Sequence, residues 1–300
     1  MAKTSALFGL LLFMSLSLSG QADSIQNLFD SSGNDTLRIF IETIDNTEYT
    51  GILLSEDEKS VELETDLGVV IKIPKIKILR YKTLHIKDIV NGEYYFENPH
   101  ATRYFYGPNG YGLRQGEGYY QNTWVMFNQV SYGFSDYFSV GTGIIPLFLF
   151  EGAPTPAWLT PKFSIPIRKN KINVGGGALV ATVIGESDAS FGIAYGTFTL
   201  GSRDANTTLG VGWTYTGDGF GEHPTFSLSG MYRLGPKGYF LSENYLISTA
   251  YETIGIISLG GRTVQKKLAV DYGLIIPINT GISIAFPWLS ITLPFGVWEE

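Results

Sequence analysis

Four charged side chains fall in segments that otherwise have the alternating pattern of β-strands. Each has mainly small or polar neighbours, and they are Arg233, Glu243, Arg262 and Asp271. If such segments enclose a core, the ionised groups must be paired, because burying an isolated charge is costly. Two interpretations stay open: a charged constriction that selects a solute, or a salt-bridged plug that closes and braces a narrow barrel.

The histidines of the chain predict no metal site and no cofactor. They are His85, His100 and His223, and their spacing is not that of metal ligands. His223 follows Glu222 and precedes Ser227 by four residues, so these three side chains carry the groups of a hydrolytic triad. A triad is defined by geometry rather than by proximity in sequence. We therefore predict no catalytic residue and keep a lipid-directed enzyme as an alternative.

A basic strip follows an acidic stretch in the first third of the chain. Residues 42–66 carry nine acids and one base, whereas residues 72–87 carry no acid. The bases of the strip are Lys72, Lys75, Lys77, Arg80, Lys82 and Lys87. The strip could contact cell-wall polymer, anionic lipid head groups or another periplasmic protein. Alternatively, because Ile76 and Ile78 alternate with its lysines, it is the solvent face of a strand.

The composition narrows the class of protein that must position these side chains. The 300 residues have a net charge of -7, which argues against general nucleic-acid binding. The absence of cysteine excludes disulfides and thiolate metal sites. Only 16% of residues are charged, while glycine is frequent at 36 residues. Low charge with abundant glycine and aromatic residues is typical of a membrane β-barrel.

The N-terminus has the features of a signal peptide. Lys3 precedes a short apolar run, and the small residues Gly20 and Ala22 predict cleavage after residue 22. We assign residues 1–22 to the signal peptide and residues 23–35 to a linker. No later apolar run reaches the roughly 20 residues that a membrane helix needs. If the mature chain spans a membrane, it must therefore do so as a closed sheet.

Residues 36–90 are predicted to form a small β-module. Five short segments alternate apolar and polar residues and are separated by turn signals, which indicates an antiparallel sheet around one core. The runs Glu48–Leu54 and Ser60–Val70, followed by Ile73–Pro74, resemble SH3-like or Sm-like folds. The resemblance implies a small β-barrel. A linker at residues 91–99 follows it.

Residues 100–300 are predicted to form an antiparallel transmembrane β-barrel, so the whole chain is all-β. Strand-like segments recur along this region, and short connections alternate with mostly longer ones, as in outer-membrane barrels. Eleven strands are counted from Tyr119 to the end, and Ala101–Tyr106 is taken as a twelfth. Twelve strands place both barrel termini on the periplasmic side; ten is the alternative count.

Several runs resemble a recurring signature of uncharacterised envelope proteins of Bacteroidota-type bacteria. They are Asn98–Pro108, Gly116–Asn122, Leu241–Asn244, Gly261-Arg262 and Asp271–Gly273. The resemblance covers roughly residues 90–300. It implies an outer-membrane-type barrel and no known activity.

These patterns together predict an outer-membrane protein with its β-module in the periplasm. We expect either a small-solute channel or a structural, surface-binding barrel. An outer-membrane enzyme acting on lipid or lipopolysaccharide is one alternative, and a soluble periplasmic β-protein is another. The predicted partners are outer-membrane lipid and, through residues 36–90, cell-wall polymer or another periplasmic protein. No nucleic acid is expected.

Overall fold

The computed structural model describes most of the chain after residue 37. The described residues are 38–45, 47–65, 67–84, 89–90, 93–186, 189–217, 219–248, 253–265, 268–281 and 284–296. The predicted signal peptide at residues 1–22, the linker at residues 23–35, His85 and Lys87 lie outside them. The chain divides into two compact units between Phe96 and Glu97.

The N-terminal unit is a curled five-stranded antiparallel sheet with the strand order β4-β3-β2-β1-β5. Its strands are β1 (Arg38–Thr43), β2 (Glu48–Glu56), β3 (Ser60–Thr65), β4 (Val70–Pro74) and β5 (Ile78–Leu84), with a 3-10 helix at Lys75–Lys77 before β5. The alternating apolar residues converge on one core of Ile39, Ile41, Val61, Leu63 and Ile73. Two short strands, β6 (Ile89–Val90) and β7 (Glu93–Tyr94), form a separate hairpin.

The second unit is a closed twelve-stranded antiparallel barrel, which confirms the predicted strand number. Its strands are β8 (Glu117–Thr123), β9 (Phe127–Ser135), β10 (Phe138–Ile144), β11 (Thr155–Arg168), β12 (Ile172–Ile184), β13 (Ser190–Gly201), β14 (Ala205–Thr216), β16 (Thr225–Arg233), β17 (Gly238–Ser248), β18 (Thr253–Gln265), β19 (Leu268–Ile278) and β20 (Phe286–Gly296). A two-residue strand, β15 (Gly219–Phe220), pairs with β14, and a short helix, α1 (Pro146–Phe150), connects β10 to β11. The ladder between β20 and β8 closes the ring.

The two faces of the barrel wall differ in polarity. In β19, Asp271 points inward and is fully buried, while its neighbour Tyr272 and then Leu274 are about half exposed on the outside. In β20, Ser290 and Thr292 are buried, whereas Leu289 and Ile291 are exposed. Successive strand residues face opposite sides, so this pattern gives the barrel an apolar exterior and a polar lumen.

Connections leave the barrel at two ends, which we name by their lengths. The short-turn end carries the connections 136–137, 169–171, 202–204 and 234–237 and the ends of β18 and β19 at Gln265 and Leu268, and the long-loop end carries the others. Because the number of strands is even, the first residue of β8 (Glu117) and the last residue of β20 (Gly296) both lie at the short-turn end. Among the described residues, no helix is long and apolar enough to cross a membrane.

Two predicted elements were wrong, and their errors cancel in the strand count. Residues 101–106 form no strand but lie in turns and bends inside the barrel, with a single β-bridge between Arg103 and Pro108. The stretch before residue 135, predicted as one strand, is a hairpin in which Trp124–Met126 connect β8 to β9. The loop after residue 106 therefore lies in the lumen and not at the long-loop end.

Candidate functional site

Residues 97–116 lie within the barrel and fill the part of the lumen towards the short-turn end; we call this segment the plug. His100, Tyr104 and Phe105 are at most 2% exposed. Gly110 approaches the wall so closely that an added Cβ would lie 2.7 Å from the carbonyl oxygen of Asn173 in β12. The plug is thus packed against the wall as part of the barrel core.

Arg262 and Asp271 form a buried ion pair that binds the plug. They are direct cross-strand neighbours on β18 and β19. Arg262 Nε donates to Asp271 Oδ1 at 2.5 Å, and Nη2 donates to Oδ2 at 3.0 Å. The remaining donors of the guanidinium reach plug carbonyl oxygens, that of His100 at 2.7 Å and that of Tyr104 at 2.6 Å. The five N–H donors of the Arg262 guanidinium therefore join two wall strands to the plug.

His100 belongs to this cluster as a buried, neutral imidazole. Burial, reinforced by the charge of Arg262, lowers the pKa of His100 to about 4, so the imidazole is neutral at pH 7. Its Nδ1 lies 2.9 Å from Arg262 Nη2 and 3.3 Å from Asp271 Oδ2, so this nitrogen either accepts from the guanidinium or donates to the carboxylate, according to the tautomer. The other ring nitrogen, Nε2, is buried and has no hydrogen-bond partner. With the whole residue buried, a reactant cannot reach the ring.

Glu243 holds the tip of the plug. Its carboxylate accepts the backbone N–H groups of Phe105 at 2.7 Å and of Tyr106 and Gly107 at 3.0 Å each. The hydroxyl of Tyr245 donates to it at 2.7 Å. Successive backbone N–H groups that converge on one carboxylate form an anion-binding nest. Here the anion comes from the wall, so the nest fixes the turn of the plug.

Arg233 lies at the short-turn end of the wall. Its guanidinium donates to Asp204 at 3.0 Å and lies 4.9 Å from the ring centre of Tyr239. The side chain of Asp204 is 48% exposed. The four predicted lumen charges are therefore divided: Glu243, Arg262 and Asp271 contact the plug, while Arg233 belongs to a partly solvated pair.

Other residues of the wall and the plug, which the sequence did not single out, also hold the plug in place. Lys162 on β11 is buried and donates to the carbonyl oxygens of Thr102 and Tyr111. The hydroxyl of Tyr104 bonds Asn206 at 2.6 Å and Thr208 at 2.7 Å on β14. Lys162 carried a usable signal, because it alternates with apolar, outward-facing neighbours. Tyr104 carried none, because a plug has no strand period.

The residues of the possible hydrolytic site are not assembled. Glu222 and His223 are exposed in the connection before β16, whereas Ser227 lies within that strand. No hydrogen bond joins any two of the three in the structure as described. Within the same described ranges, no group of three or more potential metal ligands occurs.

Two bases of the predicted strip pair with acids of the same module. Lys75 contacts Glu56 at 2.7 Å and Lys72 contacts Asp57 at 3.8 Å. The hydrogen bond from Lys75 holds the pKa of Glu56 below its ordinary value, with Tyr81 as the second donor. Of the other four bases, Lys77 is exposed at the end of the 3-10 helix. Arg80 and Lys82 lie on β5 with side chains outside the described set, and Lys87 lies outside the described residues.

Comparison with known proteins gives similar folds only. No family model matches the chain, and neither does any curated protein. Among solved structures, the NanC porin is 8% identical, with a TM-score of 0.42 over 61% of this chain and 100% of that one. OpdQ of Pseudomonas aeruginosa is 11% identical, with a TM-score of 0.35 over 87% and 96%. The CymD monoaromatic hydrocarbon channel is 10% identical, with a TM-score of 0.36 over 88% of each chain. The class of protein is therefore defined by the observed architecture: a closed β-barrel with an apolar exterior and a plugged polar lumen.

Proposed function

We propose that the chain is an outer-membrane β-barrel that serves as a structural or surface-binding protein, with its lumen closed. The apolar exterior supports the membrane location. Leu159, Phe163 and Ile165 on β11 are 45% to 58% exposed, and such a surface is unfavourable in water. A closed ring in which each strand pairs with two neighbours satisfies its backbone in lipid, which no open sheet can do.

The observation that carries the closed-lumen proposal is the distribution of plug contacts around the wall. Lys162 on β11 and Arg262 on β18 bind the plug from strands six positions apart in the twelve-strand ring. Tyr104 reaches β14 and Glu243 reaches the plug from β17. Charge-assisted bonds of this kind are the strong ones in a dry interior. Releasing the plug would require several of them to break together, so it acts as a fixed part of the core.

Conductance in planar bilayers tests this proposal. The full-length protein is expected to give no steady current, while a variant lacking residues 99–113 is expected to conduct. Steady single-channel current from the intact protein, at neutral pH and low voltage, would instead support the small-solute channel. Arg233→Met is the matched control, since it changes a lumen-side charge away from the plug and should leave the barrel closed.

We further propose that the short-turn end faces the periplasm and that the N-terminal module is periplasmic. Short turns face the periplasm in outer-membrane barrels, which supports this orientation. A bent sheet of five strands with one core is compatible with an SH3-like or Sm-like module that binds cell-wall polymer or a periplasmic protein. Protease added to intact cells should leave the module uncut and should cut it after the outer membrane is permeabilised. Cleavage of the module in intact cells would show that it faces the cell exterior and would contradict the proposed orientation.

A further inference from the structure

The barrel wall is unusually low on one side. Strands β8 and β10 have seven residues each, whereas β11 has fourteen. With a rise of about 3.3 Å per residue and a tilt near 40°, seven residues raise the wall by about 18 Å and fourteen by about 35 Å. The apolar band of an outer-membrane barrel is about 25 Å tall. The connections above β8 and β10 therefore lie at the depth of the lipid chains.

These connections present apolar side chains on their surface. In the β8–β9 connection, Val125 is 83% exposed. In α1, Leu147, Leu149 and Phe150 are 49%, 55% and 84% exposed. The two connections are neighbours, because β9 pairs with both β8 and β10. We call this set of side chains the apolar rim.

The β8–β9 connection is a short turn with a strained backbone. Trp124 and Val125 have φ values of 52° and 66°, in the left-handed region that β-branched Val strongly disfavours. The turn places Trp124 beside the upper part of β20, which continues beyond the last residue of β8. There the backbone N–H of Trp124 donates to Leu289 and its indole N–H donates to Pro287. The strained turn therefore satisfies the strand edge that the low wall leaves open.

A row of aromatic rings lines the lumen side of the low wall. Phe105 of the plug lies 5.8 Å from Trp288, Trp288 lies 5.2 Å from Trp124, and Trp124 lies 5.9 Å from Phe127. Phe127 lies 6.2 Å from Trp158, which completes the row. Trp288 is 8% exposed, and its indole Nε1 is buried with no hydrogen-bond partner. A buried donor without an acceptor is costly, so Trp288 Nε1 is available to bond an oxygen of a bound molecule.

We propose that an acyl chain of a lipid from the leaflet at the long-loop end enters over the low wall and binds along this aromatic row. The apolar rim brings the lumen opening to the level of the hydrocarbon. The rings supply an apolar surface for the chain, and Trp288 Nε1 supplies a donor for an ester oxygen. The inference rests on the proposed membrane location, because only then is lipid the solvent at the rim. It goes beyond that proposal by assigning a lipid site within the closed lumen.

Fluorine NMR with spin-labelled lipid tests the site in the intact protein. The protein is prepared with 5-fluorotryptophan and reconstituted in vesicles of phosphatidylcholine that contain a nitroxide on the acyl chain. Single Trp→Phe variants assign the resonances. Trp213 on β14 is 42% exposed on the outer face and reports membrane contact. Thr214→Trp places a probe on the lumen side of the same taller wall and is the matched control.

The expected result is loss of the Trp288 signal at least as complete as that of Trp213, with the Thr214→Trp signal retained. Phe150→Asp at the rim should restore much of the Trp288 signal without changing that of Trp213. If Trp213 is broadened and Trp288 is not, the lipid site is overturned and the membrane barrel stands. Equal broadening of Trp288 and Thr214→Trp overturns entry over the low wall. If neither Trp213 nor Trp288 is broadened, the membrane location itself fails.

Discussion

Replacing Arg262 by Met should strongly destabilise the barrel, because it leaves Asp271 as a buried carboxylate without its cation. The guanidinium makes two bonds to Asp271 and further bonds to the plug carbonyl oxygens of His100 and Tyr104. Breaking a fully buried ion pair by removing one partner costs about 3–5 kcal/mol. Orphaned plug carbonyls add about 1–3 kcal/mol. We therefore expect Arg262→Met to lower the free energy of unfolding by at least about 4 kcal/mol.

A double-mutant cycle with Asp271→Leu separates the pair from its surroundings. Each single variant leaves one buried charge, whereas the double variant leaves none, so the double variant should be far more stable than the sum of the single losses implies. We expect a coupling energy of about 3 kcal/mol, at the upper end for neighbouring residues. Urea unfolding in phospholipid vesicles, followed by tryptophan fluorescence, measures all four proteins.

Additive losses would refute the reasoning, because they would show that Arg262 and Asp271 contribute independently. Arg233→Met is the control for the general effect of removing an arginine. Its partner Asp204 is half exposed, so water can replace much of the pair, and the expected loss is about 1 kcal/mol. A loss from Arg233→Met as large as that from Arg262→Met would equally contradict the argument from burial.

Three further predictions concern separate parts of the chain. Tyr104→Phe removes a hydroxyl with two buried partners and should lower the free energy of unfolding by about 1–3 kcal/mol in the same urea assay. Asn170 has a φ of 56°, a conformation that Asn and Gly tolerate and Ala does not. Asn170→Ala should therefore lower the free energy of unfolding by about 1 kcal/mol, while Asn170→Gly should be close to neutral. Lys75→Met removes the first cause of the lowered pKa of Glu56, so an NMR titration should show that pKa rise towards 4.5.

The outcomes that contradict these predictions are distinct. An unchanged urea midpoint for Tyr104→Phe would show that its hydroxyl is solvated. Equal stability of the two Asn170 variants would remove the backbone argument. For Glu56, the lowered pKa means that the ion pair stabilises the module above the ordinary pKa and that this contribution is lost as pH falls through the folded value. A titration midpoint that does not move in Lys75→Met would remove the pair as its cause.

The barrel strands could be predicted from sequence because their two faces have different solvents. Alternation of Asp271 with Tyr272 and Leu274 follows directly from a polar lumen and an apolar exterior, and the exposures confirm it. The β8–β9 hairpin could not be predicted, because turn rules expect Gly, Asn or Asp at positive φ and the chain has Trp124-Val125 there. The rule fails where the backbone is strained.

Part of the plug resembles a strand in sequence for a related reason. Residues 101–106 are short and aromatic, as an edge strand would be, but both of their faces are enclosed by the wall and no solvent difference marks them. The charges of Glu243 and Arg262 were singled out from sequence alone, since charges in apolar strands need partners. Their partners are mostly plug backbone atoms, and these cannot be predicted from sequence because every residue has similar backbone groups.

The order of the plug and the wall along the chain has a consequence for how the barrel is made. The plug precedes β8, and β8 meets its last neighbour β20 across a separation of more than 160 residues. Pairing between such distant segments is slow, because loop closure must come before the contact that compensates it. The plug is present throughout, and its backbone groups can pair with Lys162, then with Glu243, then with Arg262 as each strand is added. The plug can thus act as a template on which the strands assemble in chain order until β20 pairs with β8 and closes the ring.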